Sequence, residues 1–299
     1  MAKTRKKQVS GRVAGLLFFV LLLLCTLNLL PTSIMKHLTN LHEILLYLVI
    51  FILPMLIYIK TNRYKISNAL NLHHVKVKYL PFIILFGIST SVICMLINMG
   101  SLAILENFGI QKLPTSTVNF VSPTPAVTIL TSIIMPAVCE ELLIRGVALT
   151  EYGKYGVAVS VFITSLVFSL FHGSVVNLVS LFVAGIFYAV ITYLFKSVWP
   201  AIFCHAINNA LAVYINYNLE YIKYLFDDTI FVIILIAAVF VILLITLKLT
   251  ENVVDELGNK GRLKTSARSL VYGEPLSSAY IWLFFILSVI ICLKNFGIW

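Results

Sequence analysis

Charge is what this sequence has least of. Only 11% of its 299 residues are Asp, Glu, Lys or Arg, against about 25% in a soluble domain. Its 60% hydrophobic content and mean hydropathy of +1.00 exceed what a water-soluble chain of this size can hide. A soluble enzyme and a disordered chain are excluded on that ground. Cysteine is sparse as well. Cys25, Cys94, Cys139, Cys204 and Cys292 stand singly in apolar runs with no CxxC pair, so neither a disulfide framework nor a cysteine zinc site is suggested. Acidic residues are almost missing from the apolar runs, and no internal repeat or composition shift marks a second domain. The polytopic membrane class remains.

A membrane span needs about 20 apolar residues. Runs at 13–30, 43–59, 80–104, 126–149, 157–172, 177–195, 198–217, 228–247 and 279–296 predict an all-α transmembrane bundle of nine spans, with eight as the alternative. The net charge of +10 does not read as nucleic-acid binding, because the basic residues sit in the short polar breaks between spans. With the N-terminus cytoplasmic, 17 of the 22 basic residues fall on the inner side. Lys36, Lys112, Lys223 and Lys294 fall outside, and Arg145 lies near a span end. That bias orients the chain and predicts a multi-pass protein of the cell membrane. The basic N-terminus followed by Val13–Leu30 is similar to a signal peptide. The run is too long and lacks a small-x-small cleavage site, so it reads as an uncleaved first span. The expected organisation is a basic N-terminal segment with two spans (1–79), a membrane core (80–247), and a cytoplasmic loop with a last span (248–299). The polar breaks at 105–125 and 248–278 read as an outer and an inner loop, and 60–79 as a basic loop, with a segment lying along the inner surface as the alternative.

Ionisable groups inside a span are costly and point to function. Glu140 and Glu141 are the acids in the fourth span. Glu141 and Arg145 are four apart, share a helix face and can pair. Glu140 points about 100° away, so one carboxylate can be structural while the other acts as a general base. Phe168 and His172 share a face in the fifth span, and the ring can fix the imidazole. His205 and Asn209 share a face in the seventh, where an imidazole and an amide can hold an oxyanion. Asn208 competes with Asn209 for that role. Each cluster alone also reads as a packing or hydrogen-bonding group. Other membrane-protease signatures are missing: no GxSG, no GxGD in a span, and no HExxH, since His42-Glu43 lacks the second histidine.

The order Glu140-Glu141-x-x-x-Arg145, Phe168-x-x-x-His172, His205-x-x-x-Asn209 resembles the CPBP family. These are the CAAX prenyl endopeptidases and the Abi-like bacteriocin-processing or immunity proteins. The resemblance implies an intramembrane endopeptidase whose site is Glu140, Glu141, Arg145, His172, His205 and Asn209. It implies that Glu140 and His172 activate water, that His205 and Asn209 stabilise the oxyanion, and that Glu141 and Arg145 position the site. Members are often called metalloproteases. Glu140, His172 and His205 could supply three ligands to Zn2+, and the same residues also work without metal. The expected partners are a membrane-associated peptide or protein substrate, CAAX-type or bacteriocin-like, and the lipid bilayer, with no nucleic acid. A polar cavity opening to the cytoplasm is expected. Two other readings compete: a non-catalytic immunity or scaffold protein on the same fold, and an ion-coupled transporter. The latter lacks the paired repeats common in carriers.

Overall fold

Backbone N–H and C=O groups inside a bilayer have no water to bond to, so an apolar chain satisfies them within helices. The computed structural model describes residues 2–28, 40–108, 124–259 and 275–296, and no described residue is in a strand. In chain order the helices are α1 (Ala2–Asn28), α2 (40–61), α3 (Leu80–Asn107), α4 (Pro125–Tyr155), α5 (Val157–Phe171), α6 (Leu178–Phe195), α7 (Trp199–Tyr217), α8 (Leu219–Phe226), α9 (Thr229–Asn259) and α10 (Ala279–Asn295). Each expected span falls on one of them. Six (α1, α2, α3, α4, α6 and α9) are long and apolar enough to cross a membrane. Helices α5 and α10 are apolar but shorter, at 15 and 17 residues. Helix α7 has the length, but His205, Asn208 and Asn209 dilute its apolar content. The protein is a multi-pass helical bundle.

One boundary differs from expectation. The span expected at 228–247 continues helically to Asn259, so the loop expected from 248 begins later. Glu256 in the added turns accepts from Lys78 Nζ at 2.7 Å and from the Tyr79 hydroxyl at 3.0 Å. Residues 29–30 of the first expected span, most of the outer loop 105–125 and the middle of the loop 248–278 lie outside the described residues.

Proline shapes the two helices that face the site. Wider, π-type turns occur at Leu48–Ile52 in α2 and at Ile129–Ile134 in α4. Pro54 and Pro136 follow them after one residue. Proline lacks an N–H and its ring crowds the carbonyl four residues back. The wider winding ahead of each proline accommodates both defects. A third such turn, Leu142–Ala148, follows Glu141 and contains Arg145. Here the polar break after α2 docks on the bundle. Asn71 Nδ2 donates to the Arg145 carbonyl at 3.2 Å and to Thr150 Oγ1 at 2.8 Å. The approach is close because position 146 is glycine: a Cβ there would stand 3.1 Å from Leu70 Cα.

Helix α5 packs along α6, α3 along α7, and α1 along α10. Helix α9 lies on the outside against α3. One hydrophobic cluster takes in Leu17, Val147 and Leu257, so it draws on all three segments expected from the sequence.

Candidate active site

The turn between α4 and α5 sets the depth of the site. Ending the fourth span at 149, as the apolar pattern suggests, leaves Glu140 and His172 at different depths. In the structure α4 stays helical to Tyr155 and α5 starts at Val157. Glu140 lies fifteen residues before that end and His172 fifteen after that start, about 22 Å along each helix at 1.5 Å per residue. Two antiparallel helices thus bring the residues level. Glu140 Oε2 is 3.7 Å from His172 Nε2, with their side chains 17% and 31% exposed.

His172 caps α5. Its Nδ1 lies 2.9 Å from the Phe168 carbonyl one turn back. A carbonyl only accepts, so Nδ1 carries the hydrogen and donates. In the neutral ring Nε2 then turns a lone pair toward Glu140. The Phe168 ring meets the imidazole edge-on at 5.0 Å, the contact that their i, i+4 spacing predicts.

Glu141 has the opposite surroundings. Its side chain is fully buried. Oε1 accepts from Arg145 Nη1 at 2.9 Å and from His205 Nδ1 at 3.0 Å. Arg145 Nη2 donates to the Gly185 carbonyl at 3.2 Å. Its guanidinium lies 4.3 Å from the Phe168 ring and 5.5 Å from that of Tyr188. His205 stacks on Tyr188 at 5.5 Å and 18°. Removing charges from water costs several kcal/mol per ion, and only well-made partners offset it. Glu141 Oε2, Arg145 Nε and the Tyr188 hydroxyl have no partner among the described residues.

The six residues expected at the site therefore divide. Glu140 and His172 line a cavity of about 170 Å³. Leu24 and Leu27 of α1, Leu46, Tyr47, Ile50 and Phe51 of α2, and Ile144, Phe168 and Phe171 complete its wall. Glu141, Arg145 and His205 form the sealed cluster beside it. His205 and Asn209 are not in the cavity wall. Asn209 is half-buried one turn beyond His205 and makes no hydrogen bond to a described residue.

One expectation changes: the cavity is mainly apolar rather than polar. It lies by the C-terminal end of α1 and the N-terminal part of α2, away from the α4–α5 turn. His205 Nδ1 donates to Glu141, and no group of three His, Cys, Asp or Glu among the described residues is arranged to hold a metal ion.

Sequence reasoning missed Tyr188, Gly185 and the cavity wall from α1 and α2. Gly185 and Tyr188 are three apart on α6 and so share a face. Nothing in an apolar run says that this face meets a buried arginine.

Residues 122–211 match the family model described as Type II CAAX prenyl endopeptidase Rce1-like. No curated protein and no solved structure matches the chain. The matched stretch is narrower than the expected core of 80–247. It runs from the approach to α4 into α7 and contains all six expected site residues. The match supports CPBP family membership through this segment, which is similar to a family of membrane-embedded endopeptidases.

Proposed function

We propose that the protein is a glutamate-dependent endopeptidase that hydrolyses a peptide bond of a membrane-associated substrate. One observation carries the reading: Glu140 and His172 meet at a cavity, while the adjacent Glu141 is locked in an ion pair. A separation of 3.7 Å is too long for a direct hydrogen bond, and both facing atoms are acceptors. A water that donates one hydrogen to each satisfies both.

That water is the nucleophile. Its oxygen attacks the scissile carbonyl carbon as Glu140 takes its proton. The tetrahedral oxyanion collapses, the C–N bond breaks, and Glu140 passes the proton to the leaving nitrogen. The products are a new carboxyl terminus and a new amine. Such general-base help is worth roughly 10²- to 10⁴-fold. Glu141, Arg145 and His205 are positioning residues that hold α4, α6 and α7 in register.

The test uses the purified full-length protein in detergent with a quenched library of lipidated and unlipidated peptides. Zinc content is measured on the same samples. Wild type is expected to cleave, and Glu140→Gln to lose at least 100-fold. Equal cleavage by Glu140→Gln overturns the assignment. If neither cleaves and Glu140→Gln cells keep the wild-type phenotype, the scaffold reading replaces it.

A further inference from the structure

We infer that the cavity in front of Glu140 and His172 is a pocket for one large apolar side chain of an unlipidated peptide, adjacent to the scissile bond. Helices α1 and α2 set its selectivity. The inference rests on the peptidase reading and names the substrate class for that site.

Size is the first argument. The cavity measures about 170 Å³. An apolar protein cavity of roughly 150 Å³ takes up a benzene. A Leu or Phe side chain is of that scale. A prenyl group, with well over twice the carbon atoms of benzene, is not. Chemistry is the second argument. Apart from Tyr47 and the reacting pair, the wall is aliphatic or aromatic. A charged or amide side chain placed there would lose its water without gaining enough partners. Position is the third. The two groups that would act on the carbonyl are part of the wall itself, so a side chain seated in the cavity holds its own backbone beside them. The remainder of the wall comes largely from Leu24, Leu27, Leu46, Ile50 and Phe51. These residues lie outside the family-matched stretch 122–211. Selectivity is thus built by a part of the chain that the family match does not describe.

The experiment uses the full-length protein and quenched peptides that differ at a single residue flanking the cut. That residue is Ala, Leu, Phe, Lys or S-farnesyl-cysteine. Leu and Phe are expected to exceed Ala in kcat/KM by at least 10-fold, since even one methylene is worth roughly 10- to 200-fold in an apolar pocket. Lys and farnesyl-cysteine are expected to fall below Ala. Leu46→Trp fills the pocket and should lower the Phe-to-Ala ratio by 10-fold or more. Ile50→Ala widens it and should raise the ratio. A farnesyl-cysteine peptide cut best overturns the inference, as does a Phe-to-Ala ratio that neither variant moves. Should no peptide be cut in a Glu140-dependent way, the peptidase reading fails, and peptide binding to Glu140→Gln by fluorescence anisotropy decides the pocket by itself. Tighter binding of the Phe peptide, weakened by Leu46→Trp, supports it. Equal binding of Ala, Phe and farnesyl-cysteine peptides overturns it.

Discussion

Replacing either of two adjacent glutamates by glutamine should give opposite phenotypes. Glu141 is fully buried and bonded to Arg145 at 2.9 Å and His205 at 3.0 Å. Glutamine there keeps the shape and removes the charge, so Arg145 stays buried with no anion beside it. Two unit charges about 4 Å apart interact by roughly 4 kcal/mol at an effective dielectric of 20. Breaking a buried pair from one side costs about 3–5 kcal/mol. For a chain of this size that is a drop of roughly 10 °C in Tm. Glu140 makes no comparable contact: His172 Nε2 lies 3.7 Å from its Oε2. Glu140→Gln should therefore melt within about 0.5 kcal/mol of wild type while losing activity. Melting can be followed with a thiol-reactive dye, because Cys94, Cys139, Cys204 and Cys292 are free and buried and become reactive on unfolding. The double variant Glu141→Gln/Arg145→Met, which removes both charges, should recover part of the loss. The reasoning is refuted if Glu141→Gln melts with wild type, or if Glu140→Gln falls as far.

Gly185→Ala tests the close packing of α5 on α6. A Cβ at position 185 would stand 2.8 Å from Ser165 Cα, and that backbone cannot swing aside. The helices must separate, at about 1–3 kcal/mol, and the Gly185 carbonyl then moves off Arg145. The same melt reads the loss. Tyr188→Phe removes a buried hydroxyl that has no partner among the described residues and keeps the ring stacked on His205. It should be neutral or stabilising by up to about 1 kcal/mol. A loss beyond 1 kcal/mol would mean that the hydroxyl is bonded after all.

Much of the site was legible along the chain because helix geometry is local. Spacings of four placed Arg145 on Glu141 and Phe168 on His172, and a step of one turned Glu140 away from Glu141. The apolar runs located nine helices for the same reason: one rule about burying backbone groups applies to each segment separately. The level pairing of Glu140 with His172 was not legible along the chain, because hydropathy falls after 149 whereas the hydrogen-bonded helix continues to Tyr155.

What the sequence determined by itself was the class of molecule, its helices and the short-range pairs within each helix. Charge scarcity and helical period decide those without reference to the rest of the chain. Only the tertiary structure decided which helices meet. It brought His205 of α7 to Glu141 rather than to the Glu140–His172 pair, set Gly185 and Tyr188 of α6 around Arg145, and made α1 and α2 the wall of the cavity. Those outcomes depend on packing between segments up to about 150 residues apart, where the shapes of facing helices, not spacing along one of them, select the contacts.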